Sequence, residues 1–178
     1  MNNSAKGYTH VYYGYGKGKT TAAFGLALRA ASYGRKVVIV QFLKNKDSGE
    51  VLCIEGIPNI TVFRGQSTNK FSISMNDSEK HCASLIHNSN LAQAVMLVNK
   101  DECDMLILDE IIDAYQLNLI DKELFENFII NKPEFLELVI TGHNPIKWLI
   151  DRADYVSEMV KRKHPYDEGV MARAGIEY

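Results

Sequence analysis

Along the chain, short continuous apolar runs alternate with longer stretches in which apolar residues recur at helical spacing. Residues 10–13 are β-prone and run into glycines, whereas residues 19–33 are rich in Ala and Leu, with Gly34 placed to end a helix. Residues 36–43 (KVVIVQFL) are almost uninterrupted in β-branched and apolar side chains, the pattern of a parallel strand covered on both faces. A polar connection over 44–50 leads to a short element at 50–54, and Pro58 introduces a strand at 59–63. Residues 66–76 are Ser/Asn-rich and read as a loop.

Asn76 with Glu79 three residues on forms a capping box, and Cys82, Leu85, Ile86, Ala92, Val95 and Met96 then follow at a spacing that predicts the core face of a helix. Residues 105–108 (MLIL) predict a buried strand ending at Asp109 and Glu110, with a helical stretch over 111–115. Asp121 caps a helix to residue 130 that Pro133 closes off. Residues 135–140 are a strand running into Thr141, Gly142 and His143, residues 146–152 a helix, and 155–160 a last strand before a basic, then irregular, tail. This alternation predicts an α/β fold, a doubly wound and mostly parallel sheet with helices on both faces.

Composition narrows the reading. A chain of 178 residues suits a single domain spanning 1–178, and 46% apolar with 24% charged residues is ordinary for a globular protein. A net charge of −2 gives no general electrostatic reason to bind nucleic acid or an anionic membrane. No window approaches the ~18 apolar residues of a membrane span, and no leader-like segment opens the chain, so a cytoplasmic location is expected. Cys53, Cys82 and Cys103 are scattered and lack a C-x-x-C pair, and are read as small buried hydrophobes or inert thiols.

The candidate chemistry lies at residues 14–21 (GYGKGKTT), between the first predicted strand and helix. Gly14, Gly16 and Gly18 allow a tight backbone to approach an anion, Lys19 supplies a point charge, and the helix it opens directs free N–H groups to the same place. Tyr15, Lys17 and Thr21 complete the loop. Strand, glycine loop and helix together predict a P-loop NTPase, RecA-like, binding a polyphosphate such as ATP. Thr20 is placed to put a hydroxyl on Mg²⁺, Asp109 matches the acid at the end of a Walker B strand, and Glu110 is placed for metal-bound water or a substrate hydroxyl. The usual spacing is G-x-x-x-x-G-K-[ST]; here Tyr13 stands where the first glycine belongs, so the loop is one residue short.

The short loop in GYGKGKTTAAFGLALRA, together with KVVIVQFLK, MLILDEI, ITGHNP, ADYVSEM and KHPYDEGVMARAGIEY, resembles the P-loop type of ATP:corrinoid adenosyltransferase, which acts on cob(I)yrinic acid a,c-diamide or cob(I)alamin. The resemblance covers nearly the whole chain. It implies transfer of the 5′-deoxyadenosyl group of ATP to the cobalt of a cob(I) corrinoid, with tripolyphosphate released, in adenosylcobalamin synthesis or salvage. It implies ATP bound in the reverse of the usual direction by residues 14–21, with Lys19, Thr20 and Glu110 in the catalytic centre. Mg²⁺ would be held by Thr20, Asp109 and Glu110. A reduced flavoprotein electron donor and a homodimer are further implications.

Phe71 corresponds to one member of an aromatic pair that excludes the lower axial ligand of cob(II); Ile73 stands where a Trp is common. His143 stands where an Arg commonly reaches the phosphates, and few residues precede the first strand, where a segment closing over the corrinoid is common. His164, Tyr166 and Asp167 belong to the family-like tail, expected to pack over the sheet or reach toward the corrinoid. A P-loop nucleoside kinase and a nucleotide-dependent ATPase or switch are the alternatives. The short loop and the missing zinc-type cysteine pairs disfavour the first, and the C-terminal block has no explanation in the second.

Overall fold

The computed structural model describes residues 6–44, 49–54, 56–65 and 74–176. The described residues contain six strands: β1 (Thr9–Tyr13), β2 (Val37–Gln41), β3 (Ile60–Phe63), β4 (Met105–Asp109), β5 (Glu137–Gly142) and β6 (Tyr155–Glu158). They form one sheet in the order β3-β2-β4-β5-β1-β6, and every pairing is parallel. The helices are α1 (Lys19–Ser32), α2 (Gly49–Ile54), α3 (Asp77–Asn99), α4 (Ile111–Gln116), α5 (Lys122–Ile130) and α6 (Lys147–Arg152). The doubly wound α/β architecture is therefore as expected.

Alternation along the strands divides the core into two layers. Val37, Ile39, Met105, Ile107 and Val139 face the alanine-rich side of α1, whose Ala23, Ala27, Ala30 and Ala31 let the helix lie close to the sheet. Val38, Val40, Leu106, Leu108, Leu138 and Ile140 face the opposite way, against Leu91, Ile111, Phe125 and Leu149 of α3 to α6. β2 and β4 are buried at every position, which explains their lack of polar alternation. Because all strands run one way, the ends of β1, β2, β4 and β5 open on one edge, the usual place for a ligand in such a sheet.

The capping box forms as expected: Glu79 N–H donates to Asn76 Oδ1 at 2.9 Å and Asn76 N–H to Glu79 Oε2 at 2.8 Å. Asp121 likewise caps α5 through Leu124 N–H at 3.0 Å. The predicted core face of α3 is a correction. Ala83, His87, Asn90, Leu91, Ala94 and Val98 are buried, whereas Cys82, Leu85, Ala92 and Met96 are exposed; of the expected face, Ile86 and Val95 are half-buried, Val95 against the core. Four of these six buried residues are small or polar, and Leu91 and Val98 complete the face. His87 fits there as a neutral ring edge-on to Phe42, its pKa lowered by burial to about 4. Among the cysteines only Cys103 is buried; Cys53 and Cys82 are exposed. β6 ends at Glu158, and its edge position leaves all four of its residues exposed. Among the described residues, no helix is long and apolar enough to cross a membrane.

Candidate active site

The loop after β1 is shaped by close backbone contacts. Gly14 N–H donates to the carbonyls of Gly142 and His143, and Gly16 N–H to that of Met159 at 2.6 Å. A Cβ would lie 2.6 Å from Met159 O at Gly14 and 2.7 Å from it at Gly16, so these two glycines are required by contact with the chain leaving β6. Gly18 has nothing within 4 Å of such a Cβ; its requirement is its φ of +116°, which turns the chain into α1. No side chain caps that helix. Its first N–H groups are therefore directed at the loop, where an anion would complete them.

Lys19 folds back over the loop, its Nζ donating to Gly14 O at 2.7 Å and Gly16 O at 3.1 Å. Burial pushes its pKa down, and the carboxylates of Asp113, Glu110 and Asp109 oppose that shift. Thr20, next on α1, donates from Oγ1 to Asp109 Oδ1 at 2.9 Å. The expected Walker pair is thus assembled from α1 and the end of β4.

Asp109 is fully buried and is satisfied from three further directions. Thr141 Oγ1 donates to Oδ1 at 2.8 Å, while Gln41 Nε2 at 3.2 Å and Lys44 Nζ at 3.3 Å donate to Oδ2. Thr141 also accepts from Glu110 N–H at 2.8 Å, tying β5 to the turn after β4. Gln41, Lys44 and Thr141 were not picked out from the sequence as site residues. Their signal is present there: polar side chains at the C-terminal ends of otherwise apolar strands that the parallel sheet brings to one edge.

Glu110 starts α4 in the left-handed region, with φ 64°, and its carboxylate lies 3.6 Å from Lys44 Nζ. Burial, then the charge of Asp109, push its pKa up from 4.5 to about 7; Lys44 opposes this. Between those two values the folded chain binds more protons than the unfolded one, so stability falls as pH rises from about 4.5 to about 7 and is flat above. Glu110→Gln is expected to be more stable than the wild type by about 1–2 kcal/mol at pH 8, with the difference vanishing below pH ~5. Thermal denaturation against pH in EDTA checks this; a constant difference across the range would contradict it.

The remaining expected residues sit around this centre. His143 pairs through Nδ1 with Asp113 Oδ1 at 3.0 Å and stacks at a tilt on Tyr15, centroids 5.2 Å apart. Asn144 Nδ2 donates to Tyr15 OH at 2.6 Å. Gly142, with φ +157°, lets α4 close in, since a Cβ there would lie 2.4 Å from Ile112 Cβ. Thr21 is exposed in the first turn of α1. Lys17 Nζ donates to Ile176 O at 2.7 Å. That bond brings the C-terminal tail beside the loop. A cavity of about 300 Å³ lies between them, with Tyr15, Lys17 and Lys19 on one side and His164, Tyr166 and Met171 on the other. The tail thus lies against the phosphate loop, with its 3₁₀ turn Pro165–Glu168 started by His164 Nδ1 accepting from Tyr166 N–H at 3.2 Å. Phe71 and Ile73 lie outside the described residues.

Similarity to known proteins follows this arrangement over its full extent. Residues 5–178 match the model of the family described as ATP:corrinoid adenosyltransferase BtuR/CobO/CobP. The corrinoid adenosyltransferase of Escherichia coli strain K12 is 33% identical over 174 residues, covering 97% of this chain and 86% of that protein. Corrinoid adenosyltransferase CobA of Salmonella typhimurium strain LT2 is 33% identical over 178 residues with the same two coverages. A corrinoid adenosyltransferase of a Sinorhizobium species is 32% identical over 176 residues, covering 97% of this chain and 81% of its own. A family match over residues 5–178 and relatives 33% identical over 97% of the chain show that the chain belongs to the ATP:corrinoid adenosyltransferase family.

Proposed function

We propose that this chain carries out the ATP-dependent adenosylation of corrinoids that characterises its family through a site built on Gly14, Tyr15, Gly16, Lys17, Gly18, Lys19, Thr20 and Thr21. The observation that carries the proposal is the contracted loop itself, closed on Met159 and His143, with Lys19 over its carbonyls and Thr20 on Asp109. In the reaction the electron pair of the substrate's cob(I) centre attacks C5′ of ATP. The Co–C bond forms as the C5′–O bond breaks, and the triphosphate leaves with the electron pair of that bond. The protein's task is to hold both reactants in line and to stabilise charge on the leaving group. Lys19, the N-terminus of α1 and His143 are the donors assigned to that charge.

The donor set suits Mg²⁺. Thr20 Oγ1 and the Asp109 carboxylate are hard oxygens already in contact, Glu110 is adjacent, and the ammonium of Lys44 lies against all three. When bound there with ATP, Mg²⁺ would neutralise triphosphate charge. Phe71 is assigned, on the family resemblance, to excluding the lower axial ligand of cob(II). A reduced flavoprotein as electron donor, a homodimeric state and a cytoplasmic location rest on the same resemblance.

Purified protein given Mg-ATP and chemically reduced cobalamin or cobinamide is expected to yield a light-sensitive adenosyl-corrinoid and inorganic tripolyphosphate in equal amounts. The absorbance change on adenosylation, its reversal by light and chromatography of the phosphates measure both products. Formation of ADP and orthophosphate instead would sink the proposal and revive the ATPase reading.

A further inference from the structure

The geometry points to Lys44 as a built-in competitor of the divalent cation: its ammonium sits on the three oxygens assigned to the metal, and metal entry transfers it to the triphosphate. This inference rests on the assignment of Thr20, Asp109 and Glu110 as metal ligands. Lys44 Nζ is 3.3 Å from Asp109 Oδ2, 3.3 Å from Thr20 Oγ1 and 3.6 Å from Glu110 Oε1. Mg²⁺ binds oxygen at about 2.0–2.1 Å, so a metal ion held by these atoms and the ammonium would fall within a few ångströms of each other. Both are positive, and Asp109, which they would share, is fully buried, so solvent screens little between them. They exclude each other.

The backbone before Lys44 directs it there. Phe42 N–H pairs with Asp109 O at 3.0 Å, which fixes the chain just past β2 beside the end of β4. Leu43 then takes a left-handed φ of 59°, uncommon for a branched side chain, and Lys44 N–H closes back on Phe42 O at 2.7 Å. This tight reversal, at the cost of local strain, turns Lys44 over the carboxylates. The Lys44 side chain keeps 26% exposure, which leaves a route out of the site. A lysine is a compact charge on a flexible stem, suited to moving between acceptors, and triphosphate oxygens would be the strongest acceptors within its reach.

Two consequences follow with opposite signs. Removing the ammonium should make the metal bind more tightly when no nucleotide is present, because nothing need be displaced. The same change should weaken ATP once the metal is bound, because the triphosphate then loses a cation. In the wild type, metal and ATP then favour each other through Lys44, and reciprocity requires each to gain equally from the other.

The test uses Mn²⁺ as the probe, measured by electron paramagnetic resonance without nucleotide, and ATP binding measured calorimetrically at saturating Mg²⁺. Lys44→Met and Lys44→Gln are both compared with the wild type, with melting curves to verify folding. The expected result is Mn²⁺ affinity higher by about tenfold or more and ATP affinity at saturating Mg²⁺ lower by about tenfold. Unchanged or weaker Mn²⁺ binding in both folded variants would overturn the inference, as would an ATP affinity that does not fall. Asp109→Asn separates the underlying assignment: if Mn²⁺ binds the wild type and this variant equally, with and without ATP, the metal assignment itself fails. If Mn²⁺ binding is lost in Asp109→Asn yet indifferent to Lys44, only the competition fails.

Discussion

Lys19→Ala is expected to lower kcat/KM for adenosyl transfer by about 10²–10³-fold, the loss typical of removing one donor aimed at developing charge. The reason is positional. Lys19 Nζ is held over the loop by the carbonyls of Gly14 and Gly16, at the mouth of the N–H groups that begin α1. A triphosphate seated in the loop would take over that ammonium, and the charge it must stabilise grows as the C5′–O bond breaks. The loss should therefore appear in kcat as well as KM, and tripolyphosphate release under single-turnover conditions separates the two. Lys19→Arg should recover little, because a planar guanidinium cannot replace a point charge inside so tight a loop. Activity of Lys19→Ala near that of the wild type would mean that the loop does not hold the leaving group.

The meeting of Thr20 with Asp109 and the parallel sheet were accessible from the sequence for a physical reason. A parallel strand covered on both faces must be continuously apolar, so the first polar residues at its end mark the edge where ligands bind; Asp109 after MLIL is such a mark. Gly14, Gly16 and Gly18 announced a tight loop, although the separate reason for each emerged only when Met159 was found against the first two. Asn76 and Glu79 are a local signal and formed the predicted cap. The misjudged face of α3 has the opposite origin. Its side chains give little contrast between faces, and the helix turns Ala83, Leu91 and Ala94 inward while Leu85 and Met96 stay exposed.

Lys44 could not be read as a site residue because its role depends on contacts across 24 and 65 residues of sequence and on the reversal at Leu43. The tail posed the same difficulty. The bond between Lys17 and Ile176 spans 159 residues, and nothing local to either residue reports it.

Asp109→Ala and Asp109→Asn are expected to lose at least about 100-fold in activity and to differ in stability, which separates the metal role of the carboxylate from its structural one. Asp109 is fully buried and accepts from Thr20, Thr141, Gln41 and Lys44. Truncation to Ala strands all four donors, one of them charged, and should cost about 3–5 kcal/mol. The amide of Asp109→Asn keeps an acceptor toward the two threonine hydroxyls but turns an NH₂ group toward Gln41 and Lys44. Gln41 can answer by rotating its own amide, because its Oε1 is buried without a hydrogen-bond partner among the described residues. The cost of Asp109→Asn should then be only about 1–2 kcal/mol, chiefly at Lys44. Loss of the Asp109 charge also removes one of the causes that raise the Glu110 pKa, so the pH dependence of stability between about pH 5 and 7 should flatten in Asp109→Asn. Denaturant melts at pH 5 and pH 8, with activity measured across a Mg²⁺ titration, check all three expectations. A variant Asp109→Asn that melts like Asp109→Ala would show that Gln41 does not rotate, and one that keeps wild-type Mg²⁺ dependence would remove Asp109 from the metal site.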